Sequence, residues 1–201
     1  MISIRMIRTL VIAALIVAAP GVSGAELDVE VLGDGGEQLS DAVVWAVPKE
    51  EAIPTPAPEA AVMDQRNRTF IPHVLPIQTG TAVRFPNNDN VRHQVYSFSP
   101  SKTFQLPLYI GEPPEPVRFT KSGIVSIGCN IHDQMSAWIV VVDTPFFARS
   151  GDQGKATLKD LAPGEYEIHV WHPRMGEPQD PLVVSLEGER TRELTIGIRT
   201  R

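Results

Sequence analysis

After its first 25 residues this chain never sustains a helical period. Apolar and polar residues alternate over short runs, and glycine, proline or clustered charge ends each run. "LDVEVLG" (27–33) alternates as a half-buried strand does, "DGG" turns the chain, and "DAVVWAVP" (41–48) reads as a second strand. Strand-type runs resume with "VLPIQ" (74–78), "TAVRFPN" (81–87), "HQVYSFS" (93–99), "EPVRFTK" (115–121) and "GIVSIGC" (123–129). "AWIVVVD" (137–143) is a continuous apolar run up to Asp143, suited to a strand buried in a sandwich core. Further runs are "GKATLKDL" (154–161), "APGEYEIHVWHP" (162–173) and the 180–199 segment, where "LEGERT" (186–191) reads as a hairpin turn. Eighteen prolines and fifteen glycines in 201 residues punctuate the chain too often for long helices. The expected class is all-β.

The first 25 residues obey different rules. Arg5 and Arg8 precede an apolar run from Leu10 to Ala19, Pro20 and Gly21 break it, and Ser23, Gly24 and Ala25 offer a small-residue cleavage site. That is the grammar of an export signal, 1–25. The run is too short to span a bilayer comfortably, which takes about 20 residues; an uncleaved N-terminal anchor is the alternative. Cleavage after Ala25 would leave a mature chain of formal charge 16 − 24 = −8, since the leader carries two arginines and no acids. Such a surface disfavours nucleic acid and favours a basic partner, or serves simple solubility. The expected compartment is the periplasm, with no membrane insertion once the signal is removed.

Export makes the cysteine count informative. Exported proteins meet an oxidising environment in which cysteines pair, and this chain has one, Cys129. It is a metal ligand, a reactive or intermolecular thiol, or a small buried hydrophobe. It stands in "GCNIHDQM" (128–135), followed by His132 and Met135 in the spacing C-x2-H-x2-M. A tight loop between two strands can turn all three side chains to one point. Copper cycling between Cu(I) and Cu(II) is served by two imidazoles, a thiolate and a weak thioether, a set tolerable to both states. His93, 36 residues before Cys129 in "NNDNVRHQVYS", is the candidate for the second imidazole. The candidate metal set is His93, Cys129, His132 and Met135 around one copper ion. Met135 could instead pack in the core, leaving three ligands or a fourth from water or Asp133.

These two stretches, "GTAVRFPNNDNVRHQVYS" and "GIVSIGCNIHDQMSAWIVVV", resemble a cupredoxin of the plastocyanin and amicyanin kind, over roughly residues 62–145. The family pattern is a strand ending V-x-F-x-N, a first ligand His, then Cys-x2-His-x(2–4)-Met, and the short loop is that of amicyanins. The stretches also resemble exported plastocyanin-like proteins labelled "methylamine utilization protein". The resemblance implies a Greek-key β-sandwich and one-electron transfer by a type 1 (blue) copper ion. Two positions depart from it. Ile131 stands where many relatives have Pro, and Gln94 where many have an Asn that ties the ligand loops together. Asn88, Asp89 or Asn130 could supply that tie.

The flanks resemble something else. The D-x-G and L-x-D-A-x-V patterns of 34–44 and the L-x-P-G-x-Y corner of 161–166 are similar to a carboxypeptidase-regulatory-like, or transthyretin-like, β-sandwich. The implied organisation is a split sandwich of 26–48 plus 149–201, a Pro-rich linker at 49–61, and an inserted cupredoxin domain at 62–146. The alternative is a single cupredoxin with decorating strands.

The remaining candidates are weaker. His73 and Met63 read as structural or surface residues. His169, His172 and Met175 imitate the ligand spacing, but residues three apart on a strand face opposite ways. Trp45 and Trp171 read as core or interface aromatics. No nucleophile elbow, zinc-protease or phosphate-loop motif is present. The expectation is therefore an electron carrier or copper-binding protein, not an enzyme, with a cytochrome or dehydrogenase as redox partner. Copper delivery or sensing, or a structural module with a degenerate site, are the alternatives.

Overall fold

The computed structural model describes residues 24–50, 59–113, 115–176, 178–188 and 191–200. Most of the proposed leader, and 51–58 of the proposed linker, lie outside the described residues. The described chain is all-β: every regular element is a strand. In chain order these are β1 (Ala25–Leu32), β2 (Val43–Pro48), β3 (Ala61–Val62), β4 (Asp64–Arg66), β5 (Thr69–Ile71), β6 (Val74–Gln78), β7 (Ala82–Arg84), β8 (Tyr96–Ser99) and β9 (Lys102–Gln105). They continue as β10 (Val117–Arg118), β11 (Gly123–Gly128), β12 (Ser136–Val142), β13 (Phe147–Arg149), β14 (Lys155–Leu161), β15 (Gly164–Trp171), β16 (Leu182–Leu186) and β17 (Arg192–Gly197).

Strand pairing separates the middle of the chain from its ends. β1 lies between β14 and β17, and β2 lies between β13 and β15, with β16 at the outer edge. The inward residues of these two sheets, among them Leu27, Val29, Val44, Leu158, Ile168 and Ile196, form one apolar core. The middle strands form β6-β12-β11-β8-β9 and β10-β7-β3, with β4 and β5 as a separate hairpin. Their core holds Met63, Phe70, Phe85, Phe119, Ile127 and Ile139, all nearly inaccessible. Each such side chain contributes about 1.5–3 kcal/mol over its exposed state.

A third, smaller apolar cluster joins the two assemblies. Val74, Val140 and Val142 from β6 and β12 meet Val43 of β2, with Trp45, Trp138, Phe147 and Trp171 packed around them. The Trp138 and Trp171 rings lie 5.3 Å apart. This explains why "AWIVVVD" lacks polar alternation: Ala137, Ile139 and Val141 serve the inner core, while Val140 and Val142 serve the seam. An ion-paired group flanks the seam, with Asp41 accepting from Arg149 at 2.5 Å and lying 3.3 Å from His73 Nδ1.

Three elements differ from the sequence reading. "LEGERT" is not a hairpin, because β16 pairs with β15 whereas β17 crosses to the other sheet and runs parallel to β1. There β17 fills the second edge of β1, and Ile196 and Ile198 enter the core. Asp41 takes a left-handed conformation (φ 64°), so β2 starts at Val43 rather than at 41. β1 in turn starts at Ala25, which is buried and paired with Leu161; cleavage directly after Ala25 would remove that first strand residue.

Candidate metal centre

Two loops at one end of the middle sandwich carry the candidate ligands. The first joins β7 to β8. Asn87, the last residue of the V-x-F-x-N stretch, is buried, and its side chain organises the loop. Its Nδ2 donates to Val91 O at 2.9 Å and Tyr109 O at 2.8 Å, and its Oδ1 accepts from the Asp89 N–H at 3.0 Å. Its backbone exchanges hydrogen bonds with Gly111 in both directions. His93 then bridges to Tyr109, each N–H donating to the other's carbonyl at 3.0 Å. His93 is therefore fixed in an isolated bridge before β8, not at the start of that strand, and its ring is fully buried.

The second loop joins β11 to β12, which pair from Gly123↔Val141 to Gly128↔Ser136. Between them the Cys129 N–H donates to Met135 O at 3.1 Å and the Met135 N–H to His132 O at 2.9 Å. These two bonds close the turn and set Cys129 and His132 on its inner side. Cys129 and Met135 are buried, and His132 is half-buried.

The loops meet. His93 Nδ1 lies 3.2 Å from His132 Nδ1 and 3.9 Å from Cys129 Sγ, and His132 Nδ1 lies 3.7 Å from the same sulfur. With metal bonds of ~2.0–2.1 Å to nitrogen and ~2.3 Å to sulfur, tetrahedral angles would separate two nitrogens by ~3.3 Å and a nitrogen from a sulfur by ~3.6 Å. The donor set fits one ion at that spacing, with angles opened toward the sulfur as in trigonal His2Cys sites. Among the described residues no other group of three His, Cys, Asp or Glu brings its donor atoms together this way. Met135 closes the same loop and lines, with Cys129, a surface cleft bounded by Tyr96, Phe98 and Asp133.

The other face of His93 decides which nitrogen is free. Its Nε2 is 3.0 Å from Asp89 Oδ2. A carboxylate only accepts, so Nε2 carries the proton and the Nδ1 lone pair faces Cys129 and His132. Asp89 also accepts from the backbone N–H groups of Arg68 at 2.7 Å and Asn90 at 2.9 Å. The His93 N–H first, and these backbone donors after it, hold its pKa down to about 2. Any stability gained from that depression is complete above the carboxylate's ordinary value of 3.8 and lost as pH falls toward about 2.

The remaining candidates lie elsewhere. His73 is bound to Asp41 at the seam. His169 stacks on Trp45, ring centroids 5.1 Å apart. Both His172 nitrogens are engaged, Nε2 donating to Ser40 O at 3.0 Å and Nδ1 accepting from the Arg174 N–H at 3.1 Å. Met63 is a core residue. Of the three residues suggested as a loop tie, Asp89 bonds His93 itself, and Asn88 donates to Asp64 Oδ1 at 2.8 Å.

Residues outside the motif complete the brace. Gln65, fully buried, donates from Nε2 to Phe85 O at 3.0 Å and to Tyr109 OH at 2.5 Å. The Tyr109 hydroxyl donates to Phe85 O, and burial pushes its pKa up to about 12. Asn87 was legible as a motif position; Gln65 and Tyr109 carry no local signal. Asn87→Ala would strip partners from Val91 O and the Asp89 N–H and remove one of the two donors to Tyr109 O, which keeps the His93 N–H. At ~1–3 kcal/mol for each buried group left unpaired, urea unfolding should show a loss of at least ~1 kcal/mol. An unchanged midpoint would mean that the loop is held without Asn87.

No protein-family model matches the chain, and no curated protein matches it. Several solved structures are similar to part of it. A purple cupredoxin from Nitrosopumilus maritimus is 21% identical over 41% of this chain and 99% of its own, at a TM-score of 0.37. The oxidized form of a methionine-to-leucine mutant of amicyanin is 20% identical over 49% of this chain and 99% of its own, at 0.38. Both are cupredoxins. A copper-containing nitrite reductase from Thermus scotoductus is 25% identical over 48% of this chain, at a TM-score of 0.40. The match spans 25% of that enzyme's length.

Proposed function

We propose that this chain is an exported copper protein of the cupredoxin kind, not an enzyme, that carries one electron at a time between protein partners in the periplasm. The observation that carries the reading is the approach of His93 Nδ1, His132 Nδ1 and Cys129 Sγ to within 3.2–3.9 Å on two loops cross-braced by hydrogen bonds. His93, Cys129 and His132 would hold the ion, with Met135 as the soft fourth donor. A bound copper ion supplies a reversible one-electron couple. The chain's part is to keep the donors in one arrangement for both oxidation states, so that little moves when an electron passes. The Asn87, Tyr109 and Asp89 bonds do that for His93, and the two closing bonds of the 129–135 turn do it for Cys129 and His132.

Burial divides the site into a closed side and an open one. His93 is sealed, while half-buried His132 stands beside exposed Ile131, and Leu108 and Ile110 flank Tyr109. These residues are the proposed contact patch for brief docking, with His132 as the electron port. The charge of −8 on a chain cleaved after Ala25 would steer a basic cytochrome or dehydrogenase toward it. Residues 26–48 with 149–201 are read as the host sandwich and 62–146 as the insertion. The apolar seam would then hold the host across the outer face of β6 and β12, leaving the ligand-loop end for partners. Among the described residues no helix is long and apolar enough to cross a membrane.

The test is to load purified protein with Cu(II), record its visible spectrum, and alternate a mild reductant with an oxidant. An intense thiolate-to-copper band that bleaches and returns over many cycles is the expected outcome. Copper that binds but is shed on reduction would replace electron transfer with delivery, and no binding would overturn the copper reading altogether.

A further inference from the structure

The β4–β5 hairpin has no ligand of its own, yet its turn is strained. Arg66 pairs with Thr69, so Asn67 and Arg68 form a two-residue loop, and both have positive φ, 54° and 56°. That geometry favours glycine, above all at the second position. A bulky residue there costs roughly 1–2 kcal/mol, and strain of this kind persists where surrounding contacts demand it. The contact here is specific. The Arg68 N–H, aimed by the left-handed turn, donates to Asp89 Oδ2 at 2.7 Å. Asp64, at the other end of the hairpin, accepts from Asn88 Nδ2 at 2.8 Å. The hairpin thus grips the 87–90 loop at two points, and Asp89 passes that grip to the His93 ring.

We propose that Asp89, clamped by the β4–β5 turn, is a positioning residue that holds His93 as its Nε2–H tautomer and biases a bound copper ion toward the oxidised state. The proposal rests on the copper reading above. A carboxylate accepting the Nε2–H increases electron density on the ring and strengthens Nδ1 as a donor. The more highly charged Cu(II) gains more from a stronger nitrogen donor than Cu(I) does. The site should therefore have a lower reduction potential with Asp89 than without it. Asp89→Asn keeps the shape and removes the charge.

Two readouts separate this from general loop damage. In apoprotein, nitrogen NMR should show wild-type His93 as the Nε2–H tautomer and Asp89→Asn as a mixture; this measurement needs no metal. In copper-loaded protein, the ratio of Cu(II) to Cu(I) affinity should fall about tenfold in Asp89→Asn, within the ~10–100-fold range for losing an outer partner. That is a rise of about 59 mV. Glu112→Gln serves as a charge control, since Glu112 is exposed beside Gly111 and pairs with Arg84 rather than a ligand. It should change neither readout. A variant whose tautomer and affinity ratio both match wild type overturns the proposal, even if its unfolding midpoint has dropped. Equal shifts in Glu112→Gln would overturn it too, by reducing the effect to net charge. If wild-type protein takes up no copper, the copper reading fails, while the tautomer measurement still decides what Asp89 does.

Discussion

Cys129→Ser is expected to abolish the thiolate-to-copper absorption band completely. Serine is nearly the same shape, and the position is buried at 4% exposure, so the sandwich should still form. Its hydroxyl does not ionise near neutral pH and is a hard oxygen, whereas the thiolate is the one soft anionic donor in the cluster. Two imidazoles and a thioether would remain. Copper affinity should fall by more than the ~10–100-fold that a lost outer partner costs. A buried hydroxyl left unpaired would cost ~1–3 kcal/mol of stability, a loss that His93 or His132 could offset by accepting a hydrogen bond from it. The measurement is the visible spectrum of both proteins at equal copper loading, with circular dichroism as the folding check. An intense band surviving in a folded Cys129→Ser protein would sink the thiolate assignment.

Phe85→Ala should give the largest loss of stability. Phe85 is wholly buried, its ring centroid 5.7 Å from that of Phe104, which in turn lies 6.0 Å from that of Phe119. Truncating a buried phenylalanine costs ~3–5 kcal/mol, transfer and cavity together. Domains hold only about 5–15 kcal/mol in all, so roughly a fifth or more of the total is at stake. The effect should reach the site, because Phe85 O receives the Tyr109 hydroxyl and Gln65 Nε2. Chemical denaturation would measure it, with Phe98→Ala as the contrast. Phe98 is 76% exposed, and surface changes usually fall within ~0.5 kcal/mol. Equal losses in the two variants would contradict the packing described here.

Several site features were legible locally because they are local. Cys129, His132 and Met135 share one tight turn, so their spacing alone places them near one another. His93 was within reach because Asn87 and the polar turn after Phe85 announce a loop. Gln65, Arg68 and Tyr109 were not legible. Each acts through a backbone or hydroxyl contact to a residue more than 20 positions away, and a buried glutamine or a left-handed arginine leaves no periodic trace. The misread "LEGERT" has the same origin. A turn signal states that the chain reverses, but which sheet the next strand joins depends on which edge still lacks a partner.

By itself the sequence determined the all-β class, most strand positions and the identity of the candidate donors. Alternation, turn residues and ligand spacing are properties of short segments. Only the tertiary structure decided the register in which β1 and β2 pair with strands more than 100 residues later, that β12 is apolar on both faces because the sheet containing β2 and β13 covers one of them, and that Asp89 bonds the His93 ring. Those outcomes depend on burial and hydrogen-bond satisfaction summed over distant segments. No window along the chain contains that sum.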